Sequence, residues 1–160
     1  MAAEPATEPD YVIVTNDAVR QAGAELLALC HRAFAEFTAD YLTARLGHID
    51  SPSAVLARSA EGMLVGFKLG YRRGHDLFYS WLGAVDPLSR RQGIARRMMI
   101  LQHEWAAREG YRHVETRTRA SNAAMIILNL RSDFRIVGVE TDRHGEIIVT
   151  QRRALSQSPR

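Results

Sequence analysis

Cysteine is almost missing from this chain. Cys30 is the only one in 160 residues, so no internal disulfide can form and a cytoplasmic setting is the default expectation. It falls on the apolar side of a predicted helix, where a buried, inert thiol is expected. No apolar run approaches the roughly 20 residues that a membrane-spanning helix requires, so no membrane partner is expected. Six histidines are present, but none has a spacing such as H-x-x-x-H, and with one cysteine no metal site is expected. There is no internal repeat, no low-complexity tract and no composition break that would mark a second domain. The first ten residues, MAAEPATEPD, are acidic and lack an apolar core. They read as a disordered lead rather than a secretory signal.

Lysine is equally scarce, Lys68 being the only one. Arginine carries the positive charge, and it is unevenly spread. Residues 1–62 hold nine Asp/Glu and four Arg, a net of −5, and residues 63–160 hold nine Asp/Glu and seventeen Lys/Arg, a net of +8; the sum is +3. A basic half attracts phosphates and an acidic half attracts amines. Arginine-rich codon usage, favoured in part by the lone lysine, explains the same asymmetry without a ligand.

The periodicities alternate between helix and strand. Tyr11–Thr15 is a short β-branched strand. Asp17 is placed to cap a helix over Ala18–Phe34, with Val19, Ala22, Leu26, Cys30 and Phe34 at helical spacing. A second helix is expected over Glu36–Leu46. Strands follow at Ala54–Arg58, Met63–Arg72 and Asp76–Val85, joined by connections short enough for hairpins. Ile94, Met98, Leu101 and Trp105 form the clearest helical stripe, ended by Gly110. A strand over Tyr111–Arg119, a helix over Asn122–Ser132 and strands near Arg135–Glu140 and Glu146–Gln151 complete the pattern. The Asn122–Ser132 helix is apolar on most sides and is expected to be buried. The fold class is α/β, a mixed, mostly antiparallel twisted sheet with helices on both faces.

The chemistry concentrates in Val85–Met99, VDPLSRRQGIARRMM. The chain leaves a strand, turns at Pro87 and passes through Arg90, Arg91, Gln92, Gly93, Ile94 and Ala95 into a helix. Gly93 lets a ligand approach the backbone, and Ala95 keeps that approach open. The first N–H groups of a helix lack intrahelical partners and sit at the positive end of its dipole, which suits a pyrophosphate. Arg90, Arg91, Arg96 and Arg97 add cations. A strand–loop–helix junction with solvated arginines would look the same.

RRQGIA, preceded by Val-x-Pro, resembles the Arg/Gln-x-x-Gly-x-Gly/Ala signature of the GNAT acetyltransferase superfamily. Asn122, Met125, Leu128 and Phe134 resemble its second signature. The resemblance covers roughly Ala54–Leu155. It implies a GNAT-like domain over 11–155, with a disordered tail over 156–160, that binds acetyl-CoA. It places the coenzyme on Gly83, Ala84, Val85, Arg90, Arg91, Gln92, Gly93, Ile94, Ala95, Arg96, Asn122 and Asn129. It implies direct attack of an amine on the thioester, with the last amides of the strand at Gly83–Val85 polarising the carbonyl. Tyr79 and Ser80 are candidates to order a water in catalysis, and Glu36 and Asp40 to bind a cationic acceptor; packing and solvation also account for all four. The sequence departs from the family at two places. Asn129 stands where many members have a tyrosine general acid, and Asp133 stands where a glycine precedes Phe134. Asparagine donates a hydrogen bond but no proton, so Asn129 is a catalytic candidate by position only. A thiol of pKa near 8.5 can leave without a general acid.

The implied partner is an amine-bearing small molecule or protein. A non-catalytic acyl-CoA-binding protein remains the alternative. A nucleic-acid-binding module is disfavoured because the aromatics do not interleave with the arginines. Pairing of C-terminal edge strands into a homodimer stays open.

Overall fold

The computed structural model describes residues 7–157. Seven strands are hydrogen-bonded in the order β1-β2-β3-β4-β5-β7-β6. They are β1 (Asp10–Thr15), β2 (Ser53–Arg58), β3 (Leu64–Arg72), β4 (Leu77–Val85), β5 (His113–Arg119), β6 (Arg135–Thr141) and β7 (Ile147–Ala154). The helices are α1 (Asp17–Gln21), α2 (Gly23–Ala33), α3 (Ala39–Leu46), α4 (Ile94–Arg108) and α5 (Ala123–Arg131). The chain forms two compact units, one reaching to Tyr71 and resuming over Leu82–Gln102, the other made of Arg72–Trp81 and the residues from His103 onward. Asp10 opens β1; residues 1–6 of the expected lead and 158–160 of the expected tail lie outside the described residues.

In the first unit β1 and β3 flank β2, both antiparallel to it. Register puts Val55 opposite Lys68 and Ala57 opposite Gly66. Alternation then assigns these residues to one face. Ile94 and Met98 of α4 cover that face, packing with Val55, Ala57 and Val65. Gly66 lets the helix approach closely there, since an added Cβ would crowd Ile94 at 3.1 Å and Met98 at 3.2 Å. The opposite face carries Leu56, Phe67 and Leu69, all buried, and in α1–α3 Val19, Leu26, Leu29, Cys30 and Leu42 are fully enclosed. Burial pushes the Cys30 thiol up to about 11, as expected of an inert core residue.

The long helix expected over Ala18–Phe34 is broken. Ala22 both ends α1 and precedes Gly23, which opens α2, and Phe34 is extended. Gly23 packs against Leu46 of α3, 3.5 Å from an ideal Cβ, so the break brings the two helices together. Asn16, at φ 52°, takes the cap position expected for Asp17. The second helix begins at Ala39, which leaves Glu36 in a loop.

In the second unit β4 pairs with β5 in parallel through Leu77–Tyr79 only. β5 pairs antiparallel with β7, and β7 with β6. Phe78, Trp105 and Tyr111 form an aromatic core with centroid separations of 5.6, 5.3 and 6.2 Å. The α5 helix corrects the expectation of burial. Met125, Ile127, Leu128 and Leu130 are exposed, and Asn129 is its one buried residue. It holds the sheet by a polar contact rather than by an apolar stripe.

Candidate active site

The end of β4 in the first unit is fastened by charge. Asp86 is buried, and one of its carboxylate oxygens accepts from the Leu88 N–H at 3.0 Å. The other accepts from Arg32 Nε at 2.9 Å, and Arg32 also donates to the Leu64 carbonyl at 3.1 Å. Burial alone would raise the Asp86 carboxyl. The Leu88 N–H and the charges of Arg32 and Arg90 outweigh it and hold the group below its usual value. Arg90 donates to the Ala33 carbonyl at 2.9 Å. Two arginines therefore tie the exit of α2 to the turn that leaves β4.

The loop that follows is open. Arg91 and Gly93 both have left-handed backbone, at φ 63° and 78°. For Arg91 that conformation costs on the order of 1–2 kcal/mol, and such outliers persist where surroundings impose them, often at ligand sites. An ideal Cβ on Gly93 meets nothing within 4 Å, so its glycine serves the backbone turn and leaves space beside the amides. Arg91, Gln92, Gly93, Ala95 and Arg96 are exposed, and Ile94 turns inward to the core. A cavity of about 200 Å³ adjoins the loop, lined by Thr7, Glu8, Pro9, Tyr11, Gln92, Gly93 and Arg97. Burial and the Glu8 carboxylate raise the Tyr11 phenol against the opposing charge of Arg97.

Gly83 has a packing reason as well as the expected ligand one. A Cβ there would sit 3.3 Å from the Phe67 carbonyl oxygen on the neighbouring strand. Ala84 is buried and Val85 half-buried. Glu36 and Asp40 are exposed, and between them Phe37 stacks on Phe34 at 5.7 Å and meets Tyr41 edge-on at 6.0 Å.

The second unit holds the remaining candidates. Tyr79 and Ser80 are buried on β4. The Arg73 guanidinium lies 4.6 Å from the Tyr79 ring centroid, and the Ser80 carbonyl accepts the Thr116 hydroxyl at 3.1 Å. Asn122 caps α5, its side-chain oxygen accepting from the Met125 N–H at 3.3 Å. Asn129 donates to Gln151 Oε1 at 3.0 Å, and Gln151 donates to the Ile126 carbonyl at 3.1 Å. Asn129 therefore fastens α5 to β7. Asp133 takes φ 67° immediately before buried Phe134, a left-handed turn that explains a glycine preference there.

Sequence reasoning missed the Asp86–Arg32 pair and the ion pair of Glu115 with Arg152. The signal for the first was local, an Asp leaving a strand before a proline turn. The second joins residues 37 apart and had none beyond alternation.

A strand that delivers a left-handed glycine turn onto a helix amino terminus has the form of an α/β phosphate-binding junction. The chain belongs to the acetyltransferase (GNAT) family, whose sequence model matches residues 20–131. No curated protein matches it in sequence. Among solved structures it is similar to the ribosomal-protein-S18-alanine N-acetyltransferase from Escherichia coli, at 19% identity and TM-score 0.72, over 94% of this chain and 97% of that one. It is similar to a chain of the NatC complex bound to Gag peptide and CoA, at 14% identity and TM-score 0.70, over 94% and 100%. It also resembles nourseothricin acetyltransferase, at 23% identity and TM-score 0.59, and spans 66% of that chain's length. No helix among the described residues is long and apolar enough to cross a membrane.

Proposed function

We propose that residues 11–155 form an N-acetyltransferase domain that moves an acetyl group from acetyl-CoA to an amine. The loop at Arg91–Gly93 carries this proposal: two left-handed residues open onto the start of α4, with nothing beside Gly93. The amides of Gly93, Ile94 and Ala95, with Arg91, Gln92 and Arg96, would hold the coenzyme's pyrophosphate. The amides of Gly83–Val85 would hold its pantetheine arm. Acetyl-CoA supplies an activated thioester. The amine nitrogen attacks its carbonyl carbon, the carbon–sulfur bond breaks, the thiolate leaves, and the extra proton on nitrogen passes to water. Tyr79 and Ser80 are assigned to order that water, and Glu36 and Asp40 to attract a cationic acceptor. Asn122 and Asn129 are assigned to the coenzyme by the family resemblance, without a proton-transfer role. The single buried cysteine suits a cytoplasmic location.

The engagement of Asn129 with Gln151 also favours a second role, acyl-CoA binding without turnover. Calorimetric titration with acetyl-CoA, on the unaltered protein and on Gly93→Trp, tests the loop. The expected result is micromolar binding that the variant loses while remaining folded, followed by amine-dependent thiol release from the unaltered protein. Failure of the folded, unaltered protein to bind refutes the proposal, and binding without thiol release from any amine leaves the non-catalytic role.

A further inference from the structure

The second unit contains a polar basin with its own charge logic. Alternation from Val114 and Thr116 places Glu115 and Arg117 of β5 on the sheet face opposite Phe78 and its aromatic partners. Register adds Tyr79, which pairs with Glu115, then Arg152 and Thr150, which pair with Glu115 and Arg117, and Gly138, which pairs with Thr150. The α5 helix lies on the other face, through Asn129 and Gln151. Arg73, from the turn before β4, leans over Tyr79. Arg73, Glu115, Arg117, Gly138, Glu140 and Thr150 line most of a cavity of about 350 Å³, within the range of small-molecule sites. Gly138 gives it depth, since even an added Cβ would approach only Thr150, at 3.9 Å.

The ion pairs in this basin are unequal. Glu115 Oε2 accepts two bonds from Arg152, at 3.0 and 2.8 Å. Arg117 pairs with Glu140. Arg73 has only a loose contact, 3.9 Å from Glu115 Oε1, with its side chain 41% exposed. Arg73 is thus the lining guanidinium least held by a carboxylate. Glu115 Oε1 remains beside it as an acceptor. Glu115 is itself only 7% exposed, so its carboxylate is fixed in place and partly desolvated.

We propose that this basin binds an amine that also bears a carboxylate, an amino acid or a close relative. The ligand's carboxylate pairs with the planar fork of Arg73, and its ammonium donates to Glu115 Oε1. The loosely held guanidinium and the acceptor oxygen beside it match a ligand that carries both charges.

The test uses the full chain with the free L-amino acids and the matching carboxamides, which keep the amine and lose the acid. Binding is followed by ligand-observed NMR on the unaltered protein, Arg73→Gln and Arg73→Lys, with melting curves to verify folding. At least one free acid should bind, with its carboxamide weaker by roughly tenfold or more. Arg73→Gln should weaken the acid by a similar factor and leave the carboxamide unchanged, with Arg73→Lys between. Equal binding of acid and carboxamide, indifference to Arg73→Gln, or no binding of any free acid overturns the basin assignment. The basin stands or falls on this binding series, whereas thiol release with acetyl-CoA tests the acyltransferase proposal separately.

Discussion

Lys68 gives the sharpest stability test. The lone lysine lies on β3 opposite Val55, on the face that Ile94 and Met98 cover. Burial pushes its ammonium from 10.5 down to about 8. The difference, 10.5 − 8, is 2.5 pH units, or about 3 kcal/mol at most, and the part of the side chain that reaches water trims this to about 1–3 kcal/mol. The unfolded chain binds the proton more tightly, so between about pH 8 and 10.5 it carries more protons than the folded state, and stability rises with pH through that window. Below about pH 8 the full penalty is present. Lys68→Met keeps the unbranched length and removes the charge, so it should be more stable than the unaltered protein by about 1–3 kcal/mol near neutrality. That gap should shrink steadily toward pH 10.5. Urea unfolding followed by tryptophan fluorescence at a series of pH values measures it, and ionisations elsewhere cancel between the two proteins. A gap that stays constant across the window, or a variant less stable at neutral pH, would refute the burial argument.

Two further outcomes follow from pairs already described. Asn129→Leu strands the buried Gln151 Oε1 and should cost about 1–3 kcal/mol, while the double variant with Gln151→Leu should recover part of that loss; a fully additive double-mutant cycle in chemical denaturation would remove the coupling. Asp86 has a depressed folded value, so it stabilises the fold above its unfolded value near 3.8 and loses that contribution as pH falls through the lower folded value. Asp86→Asn gives up the charged hydrogen bond from Arg32 and should destabilise by about 1–3 kcal/mol at neutral pH, with a gap that closes in strong acid; a gap independent of pH in urea melts would contradict this.

The loop at Arg90–Ala95 was legible because its evidence is contiguous: a strand that must stop at Pro87, a glycine, then a helical stripe. The strand order of the hairpins was legible for the same reason. Glu115 shows where this stops. Alternation separates it from Val114, but only the placement of β7 supplies Arg152 and decides that the outward face is polar. The α5 helix failed in the opposite way. Its composition demands burial, yet the side chains near it leave Met125, Ile127, Leu128 and Leu130 exposed, because composition says what a helix can bury and not how much surface awaits it.

By itself the sequence determined the alternation of strands and helices, the glycine turn onto α4 and membership of an acetyltransferase family, since periodicity, chain breaks and short motifs are local properties. The tertiary structure decided the partners: Arg32 for Asp86, Ala33 for Arg90, Gln151 for Asn129 and Arg73 beside Glu115. Those contacts join residues from 22 to 57 positions apart, and a charge or amide acquires its role only when folding removes water and sets the group that replaces it.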